Sequence, residues 1–121
     1  LLVGVEPAMA DDTRRSLAAG RRVAIDTAPT IADGLALLTP GAHTFALNQQ
    51  LIDDVVTVSE DAIAAAMRSV FDGLDLIVEP SGAVGIAALE ATPDRWRGQR
   101  VGVILSGGNV DPHRFRELTD R

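Results

Sequence analysis

A chain of 121 residues and 12.7 kDa, 46% of it hydrophobic, holds enough material for one small domain or part of one, and no more. Seventeen Asp and Glu against eleven Arg leave a net charge of -6 spread along the sequence, which argues against nucleic acid as a partner. Without cysteine there are no disulfides or thiolate metal sites and the cytoplasm is the default compartment, while the apolar start at residues 1–5 is too short for a signal peptide or membrane span.

Residues 1–5 read as a short buried strand. Asp11 and Asp12 stand where a helix N-terminus favours negative charge, opening a helix through about Ala19 that Gly20 terminates. Pro29, Gly34, Pro40 and Gly41 break residues 21–41 into a loop with a short helix over 31–38. Val55, Val56 and Val58 predict a β-branched strand. Ser59 then caps a helix whose Ile63, Met67, Val70, Phe71 and Leu74 share one face at helical spacing. The apolar run 76–78 leads into Glu79-Pro80-Ser81-Gly82, where proline suits a first helical position, and residues 83–91 are apolar nearly all round, as in a buried helix. Residues 101–105 predict a final strand, and Asp111 with Pro112 starts a terminal helix reaching towards Arg121. Such alternation implies an α/β domain with a mostly parallel sheet. No internal repeat, low-complexity tract or long linker interrupts it.

Three clusters offer chemistry. Ser106-Gly107-Gly108-Asn109 follows a predicted strand, and open α/β sheets gather ligands beyond the carboxyl ends of their strands. Its glycines permit positive φ and close backbone approach, and Ser106 offers a neutral hydroxyl; an ordinary strand-to-helix turn would look the same. Between Gly4 and Asp12, carboxylates mix with outward backbone carbonyls, the donor set that Mg2+ or Ca2+ takes, although Asp11 and Asp12 also suit the start of the following helix. Glu79 sits between an apolar run and an apolar helix, either as a partly buried carboxylate that needs a partner or as a solvated acid at a helix start. His43 and His113 stand apart from other ligand residues and read as surface histidines. No catalytic triad, zinc spacing or Walker-type loop occurs.

Taken in order, Gly4-Val5-Glu6-Pro7 with Ala10-Asp11-Asp12, Thr30-Ile31-Ala32-Asp33-Gly34, Asp53-Asp54-Val55-Val56-Thr57-Val58, Glu79-Pro80-Ser81-Gly82-Ala83 and Leu105-Ser106-Gly107-Gly108-Asn109-Val110 resemble the threonine dehydratase and serine racemase family. The resemblance implies a pyridoxal-phosphate enzyme with the three-layer αβα, tryptophan-synthase β-like fold. Residues 1–121 would be the C-terminal part of its catalytic domain, with no separate regulatory domain. It implies that Ser106 hydrogen-bonds the cofactor's ring nitrogen, with Gly107 in the same loop, Gly34 beside the ring and Glu79 close to both ring and Ser106. It further implies a divalent cation, Mg2+ or Ca2+, at Glu6, the carbonyl of Ala10 and Asp12.

The family's cofactor-binding lysine and its glycine-rich phosphate loop belong to an earlier part of such sequences, and this chain contains no lysine at all. The expectation is therefore that residues 1–121 are inactive alone and work with a missing N-terminal part of the same enzyme, often as a homo-oligomer. The implied reaction removes water from a small hydroxy amino acid, L-threonine or L-serine, after which the enamine hydrolyses to a 2-oxo acid and ammonia. A serine racemase or a 3-hydroxyaspartate dehydratase on the same scaffold is the near alternative. A catalytically silent binding or assembly module is the distant one.

Overall fold

Two short strands, β1 (Val3–Pro7) and β2 (Asp54–Val58), pair in parallel with Val3 opposite Asp54 and Pro7 opposite Val58. The β-branched run at Val55, Val56 and Val58 favours the extended state, and a parallel pair requires a crossover between its members. That crossover contains α1 (Asp12–Ala19) and α2 (Ala42–Leu51), which pack on each other, with a 3-10 turn at Asp33–Leu35 between them. After β2 come α3 (Glu60–Leu74), α4 (Pro80–Ala91), the single turn α5 (Pro93–Trp96) and α6 (Pro112–Thr119). The computed structural model describes residues 1–120, so the expected reach of the last helix to Arg121 lies outside the described residues.

The core lies between α3 and α4. Ile63, Ala66, Met67 and Val70 of α3 are buried with Ala83, Ala87 and Ala88 of α4, and Val58, Val78, Phe115 and Leu118 close the cluster. α4 also packs on both strands, and its small residues allow this close approach from several sides. Three helix ends follow the expected chemistry. Gly20 ends α1 in the left-handed conformation at φ 64, the Ser59 hydroxyl accepts from the Ala62 N–H, and Asp111 accepts from the N–H groups of His113 and Arg114.

Several expectations need correction. The first strand starts at Val3 and ends at Pro7, and it is only half-buried as far as Glu6, because one partner strand covers one edge. The short helix expected over 31–38 shrinks to one 3-10 turn. Its backbone groups are taken by distant partners: Ile31 N–H donates to Glu60, Gly34 N–H to Ser81, and Leu38 accepts from Ile25. Phe71 and Leu74 are 40% and 60% exposed, since Phe71 rests edge-on against Phe115 at the rim and Leu74 ends the helix beyond the packed turns. Helix α2 has no counterpart among the expected elements. It buries only Phe45 and carries no apolar stripe, so periodicity gives no signal for it.

Residues 101–105 form no strand. Among the described residues nothing lies alongside to take their N–H and C=O groups, and Ile104 is 86% exposed. The sheet of the described residues is accordingly two-stranded, parallel as expected. Met67 is fully buried, so Met67→Ala is expected to cost about 2–5 kcal/mol of unfolding free energy, read from the urea midpoint at unchanged slope. A loss below about 1 kcal/mol would contradict this placement of the core.

Candidate functional site

Glu79 is the N-cap residue of α4, yet its side chain does not cap that helix. Its N–H donates to the Gly107 carbonyl at 3.2 Å, and its Oε2 accepts from the Asn109 N–H at 3.0 Å. Backbone and side chain of one residue thus clasp the Ser106–Asn109 loop against the first turn of α4. Glycine is required at two places in this contact. Gly107 has φ 79, which L side chains rarely adopt, and a Cβ there would overlap the Glu79 carboxylate. Gly82 is buried in the first turn of α4, and a Cβ there would overlap the Ser106 carbonyl.

Gly34 reaches the same place from the 3-10 turn. Its N–H donates both to Asp33 Oδ1 at 2.9 Å and to Ser81 Oγ at 3.0 Å, so the turn docks on α4 through Ser81. Ser106 is exposed and lines a cavity of about 470 Å3 with Ser81 and Gly82 at one end, within the roughly 300–1,000 Å3 span of small-molecule clefts. No hydrogen bond to its hydroxyl is found among the described residues, which leaves the group free for a ligand. Gly34, Glu79, Ser106 and Gly107 are thus brought together. Ser81, which the sequence marks only as part of a turn, joins them through a contact that spacing along the chain cannot reveal.

The acidic cluster after β1 resolves differently. Glu6 Oε1 accepts from Thr13 N–H at 3.0 Å and Oε2 from Arg14 N–H at 2.8 Å, satisfying two of the unpaired donors at the start of α1. Glu6 therefore plays the helix-start part expected of Asp11 and Asp12. Asp11, the N-cap residue by position, makes no capping bond and instead pairs with Arg14 at 2.5 Å and Arg15 at 2.7 Å. Burial pushes its carboxyl up, and the hydrogen bonds and charges of the two guanidinium groups outweigh this, so its pKa lies below the ordinary carboxylate value. Asp12 is 2% exposed and its Oδ2 has no partner; burial first, then the charge of Glu6, raises its pKa. Ala10 is buried, with its N–H donating to the Pro7 carbonyl at 3.0 Å. Among the described residues no group of three or more His, Cys, Asp or Glu is arranged to hold a metal ion. His43 and His113 are exposed, as expected.

Residues 2–107 match the family described as pyridoxal-phosphate dependent enzyme. An L-threo-3-hydroxyaspartate ammonia-lyase of a Pseudomonas species is 42% identical over 118 residues, covering 98% of this chain and 37% of that protein. Serine racemase of Schizosaccharomyces pombe is 37% identical over 112 residues, covering 93% of this chain and 35% of that one. Among solved structures, the T.th. threonine deaminase superposes with a TM-score of 0.87 at 41% identity, over 92% of this chain and 40% of that chain. The αβα, tryptophan-synthase β-like fold expected from the motifs is that of such structures. The chain spans about two-fifths or less of the length of these proteins.

Two glycines test the clasp with opposite signs. Gly82→Ala, despite alanine's better helix propensity, is expected to destabilise by about 1–3 kcal/mol because it drives into the Ser106 carbonyl. Gly73→Ala in α3 meets nothing within 4 Å and should stabilise by about 0.5–1 kcal/mol. Urea unfolding of both variants checks this, and equal effects would refute the close contact. For Asp12 the sign follows from its raised pKa. Its contribution to stability is full below the unfolded-state pKa and lost as pH rises through the higher folded value. In chelated buffer, Asp12→Asn is therefore expected to raise the thermal midpoint near pH 7, and the gain should vanish under acid conditions. A gain independent of pH would contradict a buried, uncompensated carboxylate.

Proposed function

Because the chain belongs to the pyridoxal-phosphate dependent enzyme family, we propose that it is the later part of the catalytic domain of an ammonia-lyase that removes water from L-threonine or L-serine. The released enamine would then take up water and lose its nitrogen, so that the products are a 2-oxo acid and ammonia. The observation that carries this reading is Ser106: a hydroxyl with no partner among the described residues, at the end of a cavity, on a loop clasped by Glu79. The similarity to the T.th. threonine deaminase supports the reaction class. The 42% identity to an L-threo-3-hydroxyaspartate ammonia-lyase favours 3-hydroxyaspartate as the second candidate substrate, and in either case the β-hydroxyl and the α-proton are lost together as water.

These residues fit the cofactor. Bound pyridoxal phosphate supplies a conjugated ring into which electrons from the substrate's α-carbon can spread. Ser106 would hydrogen-bond the ring nitrogen, and being neutral it would leave that nitrogen unprotonated, which an aspartate in its place would not. Glu79 and Gly107 would hold Ser106 in place, and Gly34, tied to Ser81, would close the site from the 3-10 turn. The lysine that binds the cofactor and takes the substrate proton would come from a segment outside these 121 residues. In this reading the working protein is a cytoplasmic homo-oligomer.

We also propose a Mg2+ or Ca2+ ion at Asp12, Glu6 and the Ala10 carbonyl. Its support is the unpartnered, buried Oδ2 of Asp12; each Glu6 oxygen, though already accepting an N–H, has a second lone pair to offer. Asp12→Asn should then abolish any thermal response to either ion.

The full-length polypeptide should purify with the visible absorption of protein-bound pyridoxal phosphate and release 2-oxobutyrate from L-threonine or pyruvate from L-serine. Ser106→Ala should keep the bound cofactor and lower the rate about tenfold or more. A folded, colourless protein would overturn the proposal in favour of a silent binding module. D-serine as the main product from L-serine would make it a racemase.

A further inference from the structure

Glu60 opens α3, where a carboxylate commonly does no more than complement the positive end of a helix from solvent, and the exposed Asp61 beside it suffices for that. Glu60 does something else. Its side chain reaches the segment before the 3-10 turn, where Oε2 accepts from the Ile31 N–H at 2.6 Å and from the Thr30 hydroxyl at 3.0 Å. The other oxygen, Oε1, is buried without a partner among the described residues, and burying a carboxylate oxygen in this way is unfavourable. A role confined to the helix start would leave it in water.

The hold passes along the turn. The Thr30 hydroxyl also accepts from the Ala32 N–H at 3.1 Å, and Ala32 is fully buried in the core. The Ala32 carbonyl accepts from the Leu35 N–H at 2.9 Å, which closes the turn around Gly34. On its far side Gly34 donates to Ser81 Oγ at 3.0 Å, and its backbone lies so close to α4 that a Cβ there would meet the same oxygen at 2.9 Å. Residues 30–35 are thus tied to α3 by a carboxylate and to α4 by a hydroxyl. Ile31 and Leu35 also pack on the core, but apolar burial has no direction, whereas hydrogen bonds fix which way the Gly34 backbone faces.

We propose that Glu60 is the positioning residue for Gly34: from the start of α3, its Oε2 seats the turn against Ser81 and so sets the side of the site that Gly34 closes. Glu60 does not itself line the cavity beside Ser106, so it acts only through the turn. The consequence for pyridoxal phosphate rests on the proposed function, and the seating of the turn does not. A turn seated for only a fraction of the time weakens the apparent affinity for the cofactor by that fraction.

Hydrogen exchange and a pyridoxal-phosphate titration, both on the cofactor-free full-length polypeptide, test this. In Glu60→Ala the amides of Ala32, Gly34 and Leu35 should exchange about tenfold or more faster, while the Ile63 amide, bonded to the Ser59 carbonyl in the first turn of α3, stays as it was. Ser59→Ala is the converse control. It removes the cap from the Ala62 N–H and should speed exchange there without touching the turn. By visible absorption, pyridoxal phosphate should bind Glu60→Ala about tenfold or more weakly and Ser59→Ala as it binds the wild type. Glu60→Gln, which keeps an acceptor oxygen, should lie much nearer the wild type than Glu60→Ala in both readouts. Adding Ser81→Ala to Glu60→Ala should weaken binding little further, because both loosen one turn. Unchanged turn amides in Glu60→Ala, loss of Ile63 protection along with theirs, a loosened turn with unchanged cofactor affinity, or a Glu60→Gln as impaired as Glu60→Ala would each overturn the proposal. A turn that loosens as expected in a polypeptide that takes up no pyridoxal phosphate would uphold the seating by Glu60 and sink the cofactor reading.

Discussion

Glu79 does with one residue what the rest of the site depends on. Its N–H and its carboxylate hold the two ends of a short glycine loop, Gly107 and Asn109, and so fix Ser106 against α4. A hydrogen bond to a charged group contributes more than one between neutral partners, roughly 1.5–3 kcal/mol against about 1. The arrangement works only because Gly107 accepts a positive φ and Gly82 leaves room for the Ser106 carbonyl. Loss of either glycine moves the loop, and the hydroxyl with it. What places Ser106 is therefore a set of contacts from α4 and the loop, not anything about Ser106 itself.

Helix α4 is the common support. It buries Ala83, Ala87 and Ala88 against α3, carries β1 and β2, receives the 3-10 turn through Ser81, and lines the cavity beside Ser106. An amphipathic helix could not serve on so many sides. Near-uniform apolarity and small side chains suit it to this position, where several faces meet neighbours.

Features that depend on local chemistry were legible in the sequence. Ser59 with the spacing of Ile63, Met67 and Val70 marked α3, Gly20 marked the end of α1, and Glu79-Pro80 and Asp111-Pro112 marked two helix starts. Features that depend on distant partners were not. Residues 101–105 have the pattern of a strand and no neighbour to pair with among the described residues, and α2 buries too little to show a stripe. The site divides in the same way. A glycine loop after an apolar run suggested a ligand, whereas the convergence of Gly34, Ser81 and Glu79 with that loop came from contacts spanning 30 and 47 positions. The reassignment of helix capping from Asp11 to Glu6 has the same origin, because Glu6 reaches α1 from the preceding strand.

Under the proposed function, a neutral hydroxyl held by Glu79 would meet the nitrogen of a pyridine ring. Nitrogen NMR of the full-length polypeptide loaded with ring-labelled pyridoxal phosphate reads that contact directly. The expected resonance is that of an unprotonated, hydrogen-bonded pyridine nitrogen, shifted in Ser106→Ala. A pyridinium resonance, or one indifferent to the substitution, would contradict the claim.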